Sequence, residues 1–160
     1  MVHIKIICIG KIKEQYLKDA ILEYSKRLSR YCSLDILELQ DEPVPGNLNE
    51  KIIQNIKCVE SKNILSHIKK DTYLICLDLN GKQYSSEEFS KKIEEITINY
   101  NSDITFVIGG TLGISKELLD AANTSICFSK MTFPHQLIRV FLLEQLFRAF
   151  KITNNETYHR

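Results

Sequence analysis

With 160 residues, the chain is long enough to bury about 70% of its unfolded surface, so one domain over residues 1–160 is predicted. Its composition, 44% hydrophobic and 26% charged with three prolines, excludes a disordered or low-complexity chain. The net charge of +1 hides a pattern in which residues 1–30 carry +4, residues 31–129 carry −6 and residues 130–160 carry +3. Basic ends that meet in space would form a cationic surface for a polyanion, and chance variation of solvated charges is the alternative.

The first ten residues are apolar but include His3 and Lys5, and no small-residue cleavage site follows them. They predict a strand and not a signal peptide. No apolar run approaches the ~18 residues that a membrane span needs. We therefore expect a cytoplasmic protein without membrane contact.

The five cysteines are widely spaced and form no C-x-x-C pair, which argues against a disulfide framework and against a zinc site. We interpret them as structural or incidental thiols in a reducing compartment, and we expect no metal cofactor. They are Cys8, Cys32, Cys58, Cys76 and Cys127.

Short apolar runs alternate with helical patterns along the whole chain. This alternation predicts an α/β fold with a mainly parallel sheet and helices on both of its faces. Several of the runs are apolar almost throughout, as in strands that are buried on both faces. In chain order the predicted elements are strand Val2–Ile9, helix Lys13–Tyr31, strand Leu34–Leu39, helix Glu50–Lys69, strand Tyr73–Leu79, helix Ser86–Ile98, strand Ile104–Ile108, helix Lys116–Ala122, strand Ser125–Phe128 and helix His135–Ile152.

Two local patterns support these elements. Residues 85–88, Ser-Ser-Glu-Glu, have the S-x-x-E form of a capping box, which predicts a helix start. Residues 41–49 contain two prolines and a glycine between a strand and a helix, so we interpret them as a mobile surface loop.

In open α/β sheets, ligands bind beyond the carboxyl ends of the strands, and three segments qualify here: Leu77–Lys82, Ile108–Gly113 and Phe128–Phe133. The first leaves its strand through Asn80-Gly81, a turn signal. The second has glycines spaced G-G-x-x-G, which lets a ligand approach the backbone or simply makes a tight strand-to-helix turn. In both cases a structural turn is the alternative to a site.

The third segment, Phe128–Phe133, is more specific because polar and apolar residues alternate before Pro134, which is predicted in the first turn of the next helix. Backbone groups of such a loop can pair with the edge of a purine while its apolar side chains cover the faces.

The helix after Pro134 has an apolar coverage wider than the ~100° stripe of a surface helix, which predicts a subunit interface. Arg139 projects into its most apolar arc, so its charge must be paired or reach past its neighbours. Glu144 and Arg148 are four residues apart, and an exposed salt bridge is the alternative to a functional pair.

Together these segments resemble the ribosomal RNA large-subunit methyltransferase H family, which belongs to the SPOUT class of methyltransferases. The likeness covers the whole chain, including its length and the opening strand that ends at Gly10-Lys11. The residues that carry it are Ile108-Gly-Gly, Phe128-Ser-Lys-Met-Thr-Phe-Pro-His-Gln-Leu-Ile-Arg-Val, Leu143-Glu-Gln-Leu-Phe-Arg-Ala and Tyr158-His-Arg160.

The resemblance implies a C-terminal trefoil knot that binds S-adenosylmethionine, and a homodimer. It also implies methylation of N3 of a pseudouridine in a stem-loop of 23S ribosomal RNA, on the assembled ribosome. The implied cofactor residues are Leu77, Gly109, Gly110, Phe128, Ser129, Lys130, Met131, Thr132 and Phe133.

The implied catalytic residues are Glu144, Arg148, Tyr158, His159 and Arg160. N3 of a pseudouridine carries an imide proton, so the site must remove it or stabilise the anion. His159 is a candidate base or hydrogen-bond donor, and Glu144 an orienting group or proton acceptor. Arg148 and Arg160 suit a phosphate or an oxyanion, and Tyr158 suits stacking on the base.

Two positions depart from the family pattern. Asn155-Glu-Thr157 stands where Gly-x-Pro often precedes Tyr-His, and Phe147 stands where a tyrosine is common. Two other functions stay open: a SPOUT enzyme for another RNA position, and a non-catalytic ribosome-associated module.

Overall fold

The computed structural model describes residues 1–158 and leaves out His159 and Arg160. Within residues 1–158, strands and helices alternate in the predicted order, and most predicted boundaries lie within a few residues of the observed ones. The strands are β1 (Val2–Ile9), β2 (Cys32–Leu39), β3 (Tyr73–Lys82), β4 (Asp103–Ile108) and β5 (Thr124–Ile126). The helices are α1 (Gln15–Leu28), α2 (Glu50–Leu65), α3 (Ser86–Asn99), α4 (Lys116–Ala121) and α5 (His135–Thr153).

The strands form one parallel sheet in the order β2-β1-β4-β3-β5 over the described residues. Successive side chains of β1 point to opposite faces, because a strand has a period of two residues. Ile6 and Cys8 thus join one core while Ile7 and Ile9 join the other, and all four are fully buried. This double burial is the reason that the first strand reads as an almost continuous apolar run.

The helices lie in two layers. Residues of α1, α3 and α5 pack on one face of the sheet, and residues of α2 and α4 pack on the other. The predicted α/β class with a parallel sheet covered on both faces is confirmed.

The start of α3 confirms the predicted capping box. Ser85 Oγ accepts from Glu88 N at 3.1 Å, and Ser85 N donates to Glu88 Oε2 at 2.7 Å. At the start of α5, Pro134 lies one residue before the first helical residue and not inside the first turn. Its fixed φ of −55° still directs the chain into the helix.

The apolar surface of α5 is buried within the chain itself. Leu142, Leu143 and Leu146 are fully inaccessible, because the helix packs between α1 and α3 and against the sheet. Wide apolar coverage therefore does not by itself require a second subunit, contrary to the reasoning from sequence.

The predicted turn at Asn80-Gly81 lies in a bulge inside β3. The strand runs to Lys82, but Leu77 and Lys82 both pair with Ile126 of β5, so residues 78–81 leave the ladder between them. A Cβ atom on Gly81 would lie 2.6 Å from the backbone carbon of Ile126, so the glycine permits the close approach of β5.

Candidate active site

A cleft with a volume of about 690 Å³ opens at the carboxyl ends of β3 and β4. Eight of the nine residues predicted to bind the cofactor line it, and Lys130, an exposed residue, does not. The eight are Leu77, Gly109, Gly110, Phe128, Ser129, Met131, Thr132 and Phe133.

The glycine turn after β4 forms the floor of this cleft. Gly113 N donates to Gly110 O at 3.0 Å, and Gly113 has a φ of +88°, in the left-handed region that favours glycine. A Cβ on Gly109 would approach Ile114 Cγ1 at 2.7 Å, and one on Gly110 would lie 3.2 Å from a carboxylate oxygen of Glu60. The glycines thus allow Ile114 and Glu60 to pack tightly against the turn. They also leave the backbone of the turn accessible to a ligand in the cleft.

Glu60 is a buried carboxylate directly below the glycine turn, with 6% of its surface exposed. Its Oε2 accepts from Glu42 N at 3.1 Å, which ties the loop after β2 to helix α2. Burial raises the pKa of Glu60, and the hydrogen bond from Glu42 opposes this shift.

The segment Phe128–Phe133 forms one wall of the cleft. Ser129 Oγ accepts from Met131 N at 3.1 Å, and the Cys127 thiol contacts Ser129 O at 2.9 Å. Phe133 packs edge-on against Phe141 of α5 with ring centroids 5.4 Å apart. The loop is therefore fixed at both ends, while Met131 remains 72% exposed at the mouth of the cleft.

A second cavity of about 420 Å³ adjoins the cleft on the side of α3 and α5. The two spaces share Ile126, Cys127, Phe128, Ser129 and Phe133, so the end of β5 and the loop after it line both. Glu144 and Gln145 of α5 line the second cavity and bring a predicted catalytic carboxylate beside the predicted cofactor loop.

Glu144 is the centre of a hydrogen-bonded group at the end of the described chain. Its Oε1 accepts from Arg148 Nε at 3.0 Å, from Arg148 Nη2 at 2.7 Å and from Tyr158 OH at 3.2 Å. Glu144 and Arg148 are 19% and 25% exposed, so the pair is half-buried and not the exposed salt bridge of the alternative interpretation. Burial, followed by the charge of Glu144, raises the pKa of Tyr158.

Three of the five predicted catalytic residues, Glu144, Arg148 and Tyr158, are thus in contact. The Arg148 guanidinium lies 4.9 Å from the centroid of the Tyr158 ring, and this ring packs edge-on against Phe147. His159 and Arg160, the other two predicted catalytic residues, lie outside the described residues.

A family model described as a predicted SPOUT methyltransferase matches residues 2–159 of the chain. The chain belongs to the SPOUT methyltransferase family. Among solved structures, it resembles a probable methylase family protein from Haemophilus influenzae Rd KW20 with a TM-score of 0.56 and 14% identity. That match covers 98% of this chain and 70% of the other, and it concerns the fold alone.

Curated relatives match the chain over almost its full length. A protein of Clostridium botulinum (strain Eklund 17B / Type B) is 59% identical over 158 residues, which cover 99% of each chain. A protein of Clostridium acetobutylicum is 54% identical over the same share. Both relatives are named ribosomal RNA large subunit methyltransferase H.

The tail of this SPOUT methyltransferase leaves α5 through a left-handed residue, Asn155, with a φ of 54°. Asn155 N donates to Ile152 O and Glu156 N donates to Lys151 O, which is the hydrogen-bond pattern of a Schellman cap. Asparagine is the residue that most readily replaces glycine in this conformation. The turn therefore forms without the glycine that the family often has there.

The side chain of Glu156 then anchors the tail. Its Oε2 accepts from Tyr31 OH at 2.7 Å and from Lys151 Nζ at 2.5 Å. The hydrogen bond from Lys151, followed by that from Tyr31, lowers the pKa of Glu156. Glu156 thus connects the end of the chain to the start of β2.

The structure explains how the family fold accommodates Arg139, which is 2% exposed. Its Nη1 donates to Glu38 Oε2 at 2.7 Å, and its Nη2 donates to the carbonyls of Ile9 at 3.0 Å and Gly10 at 2.7 Å. The guanidinium therefore joins α5 to the ends of β1 and β2. The sequence indicated that Arg139 needs a partner but could not identify Glu38.

Sequence reasoning also missed His135, the first residue of α5, which lines the cleft. Burial lowers the pKa of His135, and the nearby charge of Arg139 lowers it further. The sequence pattern placed His135 at the start of the helix that follows Pro134, and nothing in that pattern indicated that its side chain lines a cleft. Lys57 is a further cleft residue that no motif marked, whereas Asp78 lies in the segment Leu77–Lys82 selected from the sequence.

Within residues 1–158, no group of three His, Cys, Asp or Glu side chains could hold a metal ion. Nor does the described part contain a helix that is long and apolar enough to cross a membrane.

Proposed function

We propose that the protein transfers a methyl group from S-adenosylmethionine to N3 of a pseudouridine in 23S ribosomal RNA. The observation that carries this proposal is the pair of adjoining cavities. One is lined by eight predicted cofactor residues, and the other contains Glu144, next to Arg148 and Tyr158. The names of the Clostridium relatives support ribosomal RNA as the substrate.

The cleft suits S-adenosylmethionine in size and chemistry. Its volume of about 690 Å³ lies in the range of small-molecule sites, ~300–1,000 Å³. Leu77, Phe128 and Phe133 offer apolar contact to an adenine ring, and the glycine floor lets a ligand approach the backbone. When bound, S-adenosylmethionine supplies an electrophilic methyl group on a sulfonium.

The residues of the chain then prepare the acceptor. Glu144 is fixed by Arg148, so its carboxylate is held ready to orient the base or accept the N3 proton. Tyr158 presents a ring for stacking, and His159 and Arg160 would follow it as base and phosphate contacts. Methyl transfer depends mainly on the positioning of the two reactants, which suits a site built from fixed side chains.

We further propose that the enzyme is a homodimer that acts in the cytoplasm on assembled ribosomes. The fixed tail of one subunit would complete the site of the other. The half-buried apolar residues in the first turns of α5, such as Leu137 and Val140, support an interface there. We also propose the C-terminal trefoil knot that the family resemblance implies.

Mass spectrometry of 23S ribosomal RNA from a strain without the gene tests the function. Loss of one methyl group from a modified pseudouridine is expected. Loss of a methyl group at another position would indicate a related enzyme. Unchanged RNA, with the protein still bound to ribosomes, would indicate a non-catalytic module.

Deletion of residues 158–160 tests the role of the tail. We expect RNA methylation to be abolished while calorimetry finds nearly the same affinity for S-adenosylmethionine, because Tyr158, the described residue of these three, does not line the cleft. Unchanged turnover would refute the assignment of the catalytic end.

A further inference from the structure

We propose that the second cavity holds the acceptor base, a flipped-out pyrimidine of the uracil type, and that Gln145 reads the edge of this base. The inference rests on the proposed function and assigns its substrate subsite. It makes Gln145 a specificity-determining residue for pseudouridine over uridine.

The position of the cavity is the first argument. Donor and acceptor atoms must approach within ~3–3.5 Å for methyl transfer, so the base must enter a space next to the cofactor cleft. The second cavity shares Ile126, Cys127, Phe128, Ser129 and Phe133 with that cleft. Because the same residues line both spaces, a base held there would lie next to the methyl donor.

The chemistry of the walls is the second argument. An enzyme that modifies a base in folded RNA takes the base out of its stack and replaces the lost stacking with aromatic side chains. The volume of about 420 Å³ suits one nucleotide unit and not a helical segment. Aromatic rings line the cavity from helices α3 and α5 and from the loops that precede them: Tyr84, Phe89, Phe128, Phe133 and Phe141.

The polar side of the cavity is the third argument. Ser86 Oγ donates to Gln145 Oε1 at 2.8 Å, and Gln145 Nε2 donates to Glu144 Oε2 at 2.8 Å. These contacts fix the carboxamide and use one of its two N–H groups and one lone pair of its oxygen. The remaining donor and acceptor match the alternating carbonyl and N–H groups of a uracil-type ring.

Pseudouridine differs from uridine in having a second ring N–H, at N1, where uridine is bonded to its sugar. A fixed acceptor such as Gln145 Oε1 would favour the base that offers this donor. An acceptor left without a partner in a closed site costs free energy, so uridine would bind more weakly. The carboxylate of Glu144 in the same wall disfavours a phosphate, which leaves the base as the part of RNA that fits.

The test is the substitution Gln145→Leu, measured on ribosomes that carry either the target pseudouridine or an unmodified uridine. We expect the preference in kcat/KM for pseudouridine to fall about tenfold, which is the effect of one neutral hydrogen bond. The affinity for S-adenosylmethionine, measured by calorimetry, is expected to stay unchanged. Gln54→Leu, the same change on the exposed face of α2, should leave both quantities unchanged.

Gln145→Met keeps an unbranched side chain of similar length and removes the acceptor oxygen, so it reports on the same contact if the leucine variant does not fold. Normal pseudouridine preference in a folded variant at this position would overturn the base-reading role while leaving the methyltransferase function intact. A wild-type protein without activity on either ribosome would instead overturn the proposed function. If Phe141→Ala weakens dimerisation in sedimentation but leaves KM for ribosomes unchanged, a second subunit and not a base occupies the cavity.

Discussion

The buried ion pair between Arg139 and Glu38 is expected to stabilise the edge of the sheet next to the cleft. The Arg139 guanidinium is 2% exposed, and Glu38→Gln removes its counter-charge. The carbonyls of Ile9 and Gly10 still accept hydrogen bonds from it. Removal of one partner of a fully buried pair costs about 3–5 kcal/mol. Because the Glu38 side chain is 35% exposed, water screens the pair, and we expect a loss of about 2 kcal/mol.

Urea unfolding measures this loss. With an m-value of about 2 kcal/mol per molar urea, the midpoint of Glu38→Gln should fall by about 1 M. The double variant with Arg139→Met should be less destabilised than the sum of the single variants, because it removes the charge that Glu38→Gln leaves buried. Asp120→Asn is the control, since its pair with Lys116 is largely exposed and should contribute less than 1 kcal/mol.

A midpoint of Glu38→Gln within the error of the wild type would refute this reasoning. So would strict additivity of the two substitutions. Either result would mean that the backbone carbonyls hold Arg139 without help from the carboxylate.

Two further predictions concern the backbone crossing and the tail. Gly81→Ala should lower the thermal midpoint by several degrees, because its Cβ would clash with β5 at 2.6 Å, whereas Gly46→Ala, with open space around it, should not. A normal midpoint for Gly81→Ala would show that the two strands can move apart. Glu156→Gln should let a carboxypeptidase remove the last residues faster, because the tail loses its ion pair, and Glu94→Gln on the exposed face of α3 should not. Equal rates for the two variants would refute the anchoring role of Glu156.

Local patterns in the sequence predicted most of the fold. The bounds of β1 were predicted to the residue, and the capping box at Ser85 gave the first residue of α3. Both signals are contained in a few neighbouring residues. The signal at Asn80-Gly81 marked a bulge but did not predict that β3 resumes at Lys82, because Gly81 makes room for β5, which lies more than 40 residues later in the chain. A sequence pattern cannot distinguish a glycine that turns the chain from one that makes room for another strand.

The site was predicted less completely than the fold, because it depends on contacts between residues that are far apart in the sequence. The cofactor residues were implied by family resemblance, and the fold brings eight of them to one cleft. The position of Arg139 on an apolar arc indicated a buried charge, but Glu38 lies 101 residues away in the sequence. The contribution of Gln145 depends on contacts with Ser86 and Glu144, and its own position in the helix offered no signal.

The tail of this chain is anchored without the proline that the family pattern predicts before the Tyr-His pair. A proline before the Tyr-His pair would restrict the unfolded chain and so lower the entropy cost of ordering the tail. Thr157 offers no such restriction, and here Glu156 contacts Tyr31 and Lys151 instead. An ion pair whose side chains are 18% and 30% exposed is weakened by salt, whereas the restriction by proline is not. The order of the tail, and with it the rate of methyl transfer, should therefore depend more on ionic strength in this enzyme than in relatives with the proline.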